Sequence, residues 1–313
     1  TNLEKYKDGQ EIQYTVEEEA LDGYKSEISG NIENGFVITN TSIETIDIPV
    51  TKKWVGKEGE SATIRLLAND IEINSKKLTN SDNWKHTFSN LQKYDQKTGE
   101  KINYTIKEDS ISGYNSTITG NANNGFVVTN TITGKVSIGV TKEWVGPSIK
   151  EVTVNLLADG NKIKSVTLNQ KNNWQYTFTN LEKYKDGQEI QYTVEEVKVN
   201  GYTSEITGDI ENGFVITNIN TETIDILVTK KWVGKEGKNA IVKLMVDGVA
   251  IGGADLTKDK NWQYTFKNLP KYSNLTGEKI NYTIEEQLLE GYTSKITGDL
   301  EKGFVVTNTN IET

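Results

Sequence analysis

The segment VTKKWVG, Val50–Gly56, returns as VTKEWVG at Val140–Gly146 and again as VTKKWVG at Val228–Gly234. Side chains of a strand alternate between faces, so Val50, Lys52 and Trp54 share one face while Thr51 and Lys53 share the other. A lysine therefore stands between a valine and a tryptophan on the face that should pack against a core. Any account of the chain has to say what that lysine meets.

Three copies of one heptapeptide mark an internal repeat. The tryptophans Trp54, Trp144 and Trp232 are 90 and 88 residues apart, a period suited to a small independent domain. The stretch TNLEKYKDGQEIQYTVEE at Thr1–Glu18 reappears letter for letter at Thr179–Glu196. The expected organisation is the C-terminal half of one repeat over 1–43, followed by whole repeats over 44–132, 133–220 and 221–313. With no signal peptide or 20-residue apolar run, the sequence reads as an excerpt of something longer, with no membrane insertion in this segment.

Composition removes several function classes. The net charge of -9 disfavours nucleic acid and anionic membrane, which reward clustered Lys and Arg. The absence of cysteine removes disulfides, thiolate catalysis and cysteine metal sites. Acidic pairs such as Glu17 and Glu18 are adjacent and so face opposite ways, and no Asp spacing fits a calcium loop, so no metal or cofactor is expected.

Within one period, short alternating segments rich in Val, Ile, Thr, Tyr and Trp are separated by turn residues such as VDG at Val246 and ENG at Glu211. About seven strands in about 90 residues predict an all-β sandwich. The connectors keep one length, 12 residues from Asn40 to Lys52, Asn130 to Lys142 and Asn218 to Lys230. They look like strand running almost directly into strand, which predicts domains strung end to end with little slack.

Two more polar residues fall on apolar faces. In GFVITNI, Phe214, Ile216 and Asn218 share a face; in YTVEE, Tyr192, Val194 and Glu196 do. The outward position beside that glutamate varies (Glu17, Lys107, Glu195, Glu285), whereas the inward one is always glutamate: Glu18, Glu108, Glu196, Glu286. Buried charges cost several kcal/mol unless paired, so Lys, Glu and Asn should find one another. One reading is a buried Lys–Glu ion pair with Asn as hydrogen-bond partner. The other is covalent: an apolar interior favours neutral amine and neutral acid, the amine attacks the Asn carboxamide, and the acid supports the carbonyl oxygen and shuttles protons to departing ammonia. The product would be an isopeptide bond, formed once per domain without a cofactor.

The segments VTKKW, LLADG, NWQYTFTNLEKY, YTVEE, GYTSEITG and GFVITNT occur in the same order and resemble the Cna B-type domains of Gram-positive surface adhesins. The resemblance implies an inverse Ig-like, transthyretin-related β-sandwich. It also implies a stalk that carries an adhesive head domain away from the cell wall, on the extracellular surface. By motif position it implies the triads Lys52, Glu108, Asn130; Lys142, Glu196, Asn218; and Lys230, Glu286, Asn308, with Glu as catalyst. The loop after the first tryptophan is short here (VGKEGES, VGPSIKE, VGKEGKN) where many relatives carry a longer Asp/Asn-rich insert.

Residues 1–43 hold Glu18 and Asn40 but no lysine strand, an incomplete site. Implied partners are the adjacent repeats and head domain, with a host extracellular matrix ligand reached through other domains. The rival function is a repeated binding module for host matrix protein or glycan. A turnover enzyme is disfavoured, because the only constellation consumes its own side chains. Trp84, Trp174 and Trp262 could suggest sugar stacking, but alternation places them with His86, Tyr176, Tyr264 and the following Phe on one packed face.

Overall fold

A computed structural model describes residues 2–311. Among the described residues the only helical pieces are three one-turn 3-10 segments, Asn80–Asp82, Gln170–Asn172 and Lys258–Lys260. Among the described residues no helix is long and apolar enough to cross a membrane. The chain divides into two compact units, Thr1–Lys135 with Glu182–Glu189, and Val136–Leu181 with Ile190–Thr313.

The first unit contains one complete sandwich. Its four-stranded sheet runs in the order Tyr114–Asn121, Gly125–Ile132, Thr45–Val55, Lys85–Gln92, and its three-stranded sheet in the order Ile71–Leu78, Ala62–Ala68, Tyr104–Glu108. All neighbours are antiparallel except the central pair of the larger sheet. There the first and last strands run parallel, Lys52 opposite Val128 and Trp54 opposite Asn130. Parallel first and last strands bring the chain in at one end of the sandwich and out at the other.

The pleat explains the core. Ile48 and Val50 from the first strand, Ile64 and Leu66 from the facing sheet, and Phe126 and Val128 from the last strand alternate inward and meet with Leu78, Phe88, Tyr104 and Ile106. The second unit holds two sandwiches of the same order, each with its own core, around Leu156 and Ile216 in one and around Leu244 and Val306 in the other. Their parallel pairs keep the register, Trp144 opposite Asn218 and Trp232 opposite Asn308. Hairpins close where the sequence offers positive φ: Asp159 (φ 49°) and Gly160 (φ 76°) join Glu151–Ala158 to Asn161–Asn169.

The described residues ahead of Thr45 form only the hairpin Tyr24–Asn31 with Gly35–Ser42 and the two-residue pair Tyr6–Lys7 with Gln10–Glu11. Ser26 pairs with Asn40 as Ser116 does with Asn130, so local register is kept. With no lysine strand or facing sheet to cover it, Gly35–Ser42 has no buried residue, whereas its counterpart Gly125–Ile132 buries Phe126, Val128 and Asn130.

One expectation needs correcting. Trp84, Trp174 and Trp262 do not reach the interior by strand alternation with His86, Tyr176 and Tyr264. Each follows a 3-10 turn, and each is left-handed (φ 56°, 59° and 60°) directly after a left-handed Asn, so the extended phase starts one residue later. Trp84 then packs edge-on to Trp54 with ring centroids 5.2 Å apart, and Trp54 does the same to Tyr114 at 5.0 Å. Tyr176 and Tyr264 lie on the rim, 44% and 38% exposed, while His86 is half-buried edge-on to Phe88.

Leu156 is fully buried and Ile163 half-exposed, so they should behave differently on truncation. Leu156→Ala should destabilise the second complete sandwich by about 2–5 kcal/mol, read from amide hydrogen exchange within it. Ile163→Ala should stay within about 0.5 kcal/mol.

Candidate functional site

The lysine of the opening motif is buried three times over: Lys52, Lys142 and Lys230 are each 3% exposed. Their backbones are fixed by the unusual tryptophans. The N–H of Lys52 donates to Trp84 O, that of Lys142 to Trp174 O and that of Lys230 to Trp262 O, each at 2.8 Å. The left-handed turn thus aims a carbonyl at the lysine strand. Sequence reasoning missed this role, although the recurrence of Asn-Trp at one place in each repeat was its signal.

Each lysine Nζ lies over the ring of the tryptophan two residues on, 4.2, 4.2 and 4.5 Å from the ring centroid. Lys52 Nζ donates to Lys53 O at 3.0 Å and to Val128 O at 3.4 Å; Lys142 Nζ donates to Glu143 O at 2.7 Å and to Ile216 O at 3.1 Å. The carbonyls at Val128 and Ile216 belong to the strand that carries Asn two residues later.

The expected carboxylates arrive from the facing sheet. Lys52 Nζ is 3.4 Å from Glu108 Oε1, Lys142 Nζ 3.7 Å from Glu196 Oε1 and Lys230 Nζ 2.9 Å from Glu286 Oε1. These glutamate side chains are only 2%, 2% and 3% exposed. The carboxamides close the cluster: Asn130 Nδ2 donates to Glu108 Oε1 at 3.3 Å, and Asn308 Nδ2 donates to Glu286 Oε1 at 3.1 Å. Asn218 is fully buried and neither its Nδ2 nor its Oδ1 has a hydrogen-bond partner. Two Lys–Glu–Asn clusters are thus complete, in the first and third whole copies; in the second, Lys142 and Glu196 are paired while Asn218, opposite Trp144 in register, is buried but bonded to neither.

The front copy assembles the remainder. Glu18 accepts from Asn40 Nδ2 at 2.9 Å and from Ser26 Oγ at 2.7 Å. Those two bonds, the serine's first, hold its carboxyl below the usual range. No lysine completes this pair among the described residues.

Burial sets the chemistry of the amines. Desolvation lowers the pKa of Lys52 and Lys230 and pushes Lys142 down to about 8, against the raising effect of the paired glutamates. For Lys142 a fraction of neutral, nucleophilic amine is thereby available near neutral pH; for Lys52 and Lys230 the shift is in the same direction. Oδ1 of Asn130, Asn218 and Asn308 is buried without a hydrogen-bond donor, as is a glutamate oxygen in two clusters, Glu108 Oε2 and Glu196 Oε1. Unpaired buried acceptors are expensive, so each of these oxygens marks a place where a donor is missing. No group of His, Asp or Glu suited to a metal ion occurs among the described residues.

Residues 1–41, 48–131, 138–219 and 226–309 match the family described as the Cna protein B-type domain. The chain belongs to this family. It is 36% identical over 322 residues to the collagen adhesin of Staphylococcus aureus, a match covering 95% of this chain. The chain spans about a quarter (26%) of that relative's length. Two solved B-repeat structures of the collagen-binding protein of the same organism are similar. One, with two repeat units, shows 34% identity and a TM-score of 0.38, covering 85% of this chain and 74% of its own. The other, with a single unit, shows 36% identity and a TM-score of 0.27, covering 57% and 100%. The Cna B-type repeats here thus occur in tandem.

The depressed amine is measurable in a chain whose acyl partner is removed. In Asn218→Ala, NMR titration of the Lys142 side chain should give a midpoint near 8, well below the ordinary value of 10.5. Because the folded value lies under the unfolded one, the burial penalty is complete below the lower value and lifts as pH rises. The second copy should therefore gain stability between about pH 8 and the unfolded value of 10.5. A midpoint above about 10 would contradict a desolvated amine.

Proposed function

We propose that each complete copy locks itself by an isopeptide bond between Lys52 and Asn130, Lys142 and Asn218, and Lys230 and Asn308, and that the locked copies serve as the stalk of a surface adhesin. The observation that carries this reading is a dry amine set against a buried carboxyl in all three complete copies, joined by a hydrogen-bonded carboxamide in the first and third, each group from a different strand.

Neutral Nζ attacks Cγ of the asparagine. Protonated Glu108, Glu196 or Glu286 donates to the Oδ1 that otherwise has no donor, stabilising the charge that develops there. The tetrahedral centre collapses as the Cγ–Nδ2 bond breaks, and the proton released by Nζ travels through the carboxyl to the departing nitrogen. One amide forms, one ammonia leaves and the glutamate is regenerated. Folding supplies the proximity, so neither cofactor nor external substrate is required. Each centre acts once.

The bond joins the first strand to the last. Tension entering through the lysine leaves through the asparagine, bypassing the intervening chain. As a cross-link closing a loop of roughly 80 residues, it restricts the unfolded state by about 4–5 kcal/mol, a model-dependent figure. It also resists reductants, unlike a disulfide. These properties suit an extracellular position on a Gram-positive cell wall, between the wall and an adhesive head domain that would hold the host matrix ligand. Family membership and the similarity to a collagen adhesin support that placement.

Intact mass is the test. The parent chain should weigh three ammonia equivalents less than its sequence. Lys52→Ala, Lys142→Ala and Lys230→Ala should each show a deficit of two, and so should Glu108→Ala, Glu196→Ala and Glu286→Ala, which keep both bonding partners. Full sequence mass in the parent would falsify the bond; an unchanged deficit in the glutamate variants would remove their assigned role.

A further inference from the structure

The two-residue connectors are pinned on both sides. In the first, Ile43 N–H donates to Gly23 O and Lys93 N–H donates to Glu44 O, both at 2.9 Å. The same bonds recur from Thr133 to Gly113 and from Lys183 to Gly134, both at 2.8 Å, and from Thr221 to Gly201 and from Lys271 to Glu222, both at 2.9 Å. Ion pairs sit over them: Glu44 with Lys93, Glu222 with Lys271, and, with the signs exchanged, Lys135 with Glu182.

A second contact involves the glycine that ends VTKKWVG. In the first unit Gly56 (φ +93°) meets Gly187 (φ +83°), the tip of the hairpin Tyr184–Lys185 with Gln188–Glu189. A Cβ on Gly56 would lie 2.7 Å from Gly187 O, and one on Gly187 would lie 2.9 Å from Gly56 Cα. In the second unit a Cβ on Gly277 (φ +71°) would lie 2.8 Å from Gly146 N, and one on Gly146 (φ +103°) 3.6 Å from Tyr272 Cγ. Backbone meets backbone at both places, an approach that glycine permits and other residues obstruct.

Three counterparts lack such a neighbour. Gly9 occupies the same 18-residue sequence as Gly187, yet a Cβ there would meet nothing within 4 Å, and the same holds at Gly99. At Gly234 only Asn310 Cβ of its own copy comes near, at 3.2 Å, and Val233 is 50% exposed. Local sequence therefore does not create the contact; a neighbouring repeat does. Next to Gly99, a cavity of about 290 Å³ is lined by Asn40, Thr41 and Ser42 together with Tyr94, Asp95 and Gln96. In complete copies the position beside that Asn-Thr pair is filled by Trp-Val of the lysine strand, as Trp54 and Val55 lie opposite Asn130 and Thr131.

We propose that the Val-Gly end of each lysine strand is a docking seat for the glycine-tipped hairpin of the next B-type repeat, and that Val233–Gly234 is a third seat that fits the hairpin of a further B-type repeat. The seat fixes the angle between neighbours that the pinned connector alone would leave to two residues. It lies beyond the stalk reading and is independent of whether any isopeptide bond forms.

The chain has no cysteine, so introduced cysteines can be spin-labelled selectively. With labels at Lys162→Cys and Lys258→Cys, both exposed, the full chain should give a narrow distance distribution between its second and third complete copies. Gly277→Val should widen it at least twofold and Gly277→Ala by less, while Gly99→Val, equally strained in φ but facing no seat, should leave it unchanged. For the third seat, a second Ile224–Asn310 segment is appended after Thr313, with labels at Ala250→Cys, the exposed counterpart of Lys162, in the original copy and at Lys258→Cys in the appended one. The distribution should match the narrow one and widen when the appended counterpart of Gly277 becomes valine. Equal widths for Gly277→Val and its parent, or a broad distribution in the extended chain, would overturn the proposal.

Discussion

The structure depends on a buried lysine that has to be answered. Placing Lys52, Lys142 or Lys230 between a valine and a tryptophan removes its amine from water, which is tolerable only where other groups compensate. Two things supply the answer: parallel pairing of the first and last strands, which brings backbone carbonyls and an asparagine alongside, and a glutamate from the facing sheet. Shifting any of these strands by one residue would turn its polar group outward and leave the others unpaired. The cluster therefore selects the register of both sheets as much as the register builds the cluster.

That same pairing gives the fold its mechanical character. Because first and last strands are adjacent and parallel, the points where tension enters and leaves a copy lie on neighbouring strands. Everything else in the sandwich hangs as a loop between them. Pinned connectors then pass directly from one copy's last strand to the next copy's first, with no slack Gly/Ser-rich segment between. Stability in such a molecule is governed by how the two central strands are joined.

Much of this was legible in the sequence, because alternation is a strong constraint when one face is buried. Period-two counting put Lys52, Glu108 and Asn130 and their counterparts inward, and the repeated letters showed which positions never varied. The all-β sandwich followed from strand length and turn chemistry. The role of the tryptophan after each 3-10 turn was marked by the recurring Asn-Trp alone: two consecutive left-handed residues interrupt the alternation, and a carbonyl aimed at a lysine N–H leaves no mark in side-chain patterning. The contacts at Gly56 and Gly146 were equally silent, since a glycine looks the same whether it frees a turn or admits a second backbone. Nor could spacing tell that Asn218 would lie without the glutamate bond made by Asn130 and Asn308.

Single-molecule stretching of the full chain addresses the central claim most directly, since it asks whether the two central strands of each sandwich are covalently one. With the bonds closed, none of the three complete copies should release its interior, and the trace should show no step near the roughly 270 Å that some 80 residues would span when extended. Three such steps, one for each complete copy, would contradict the account.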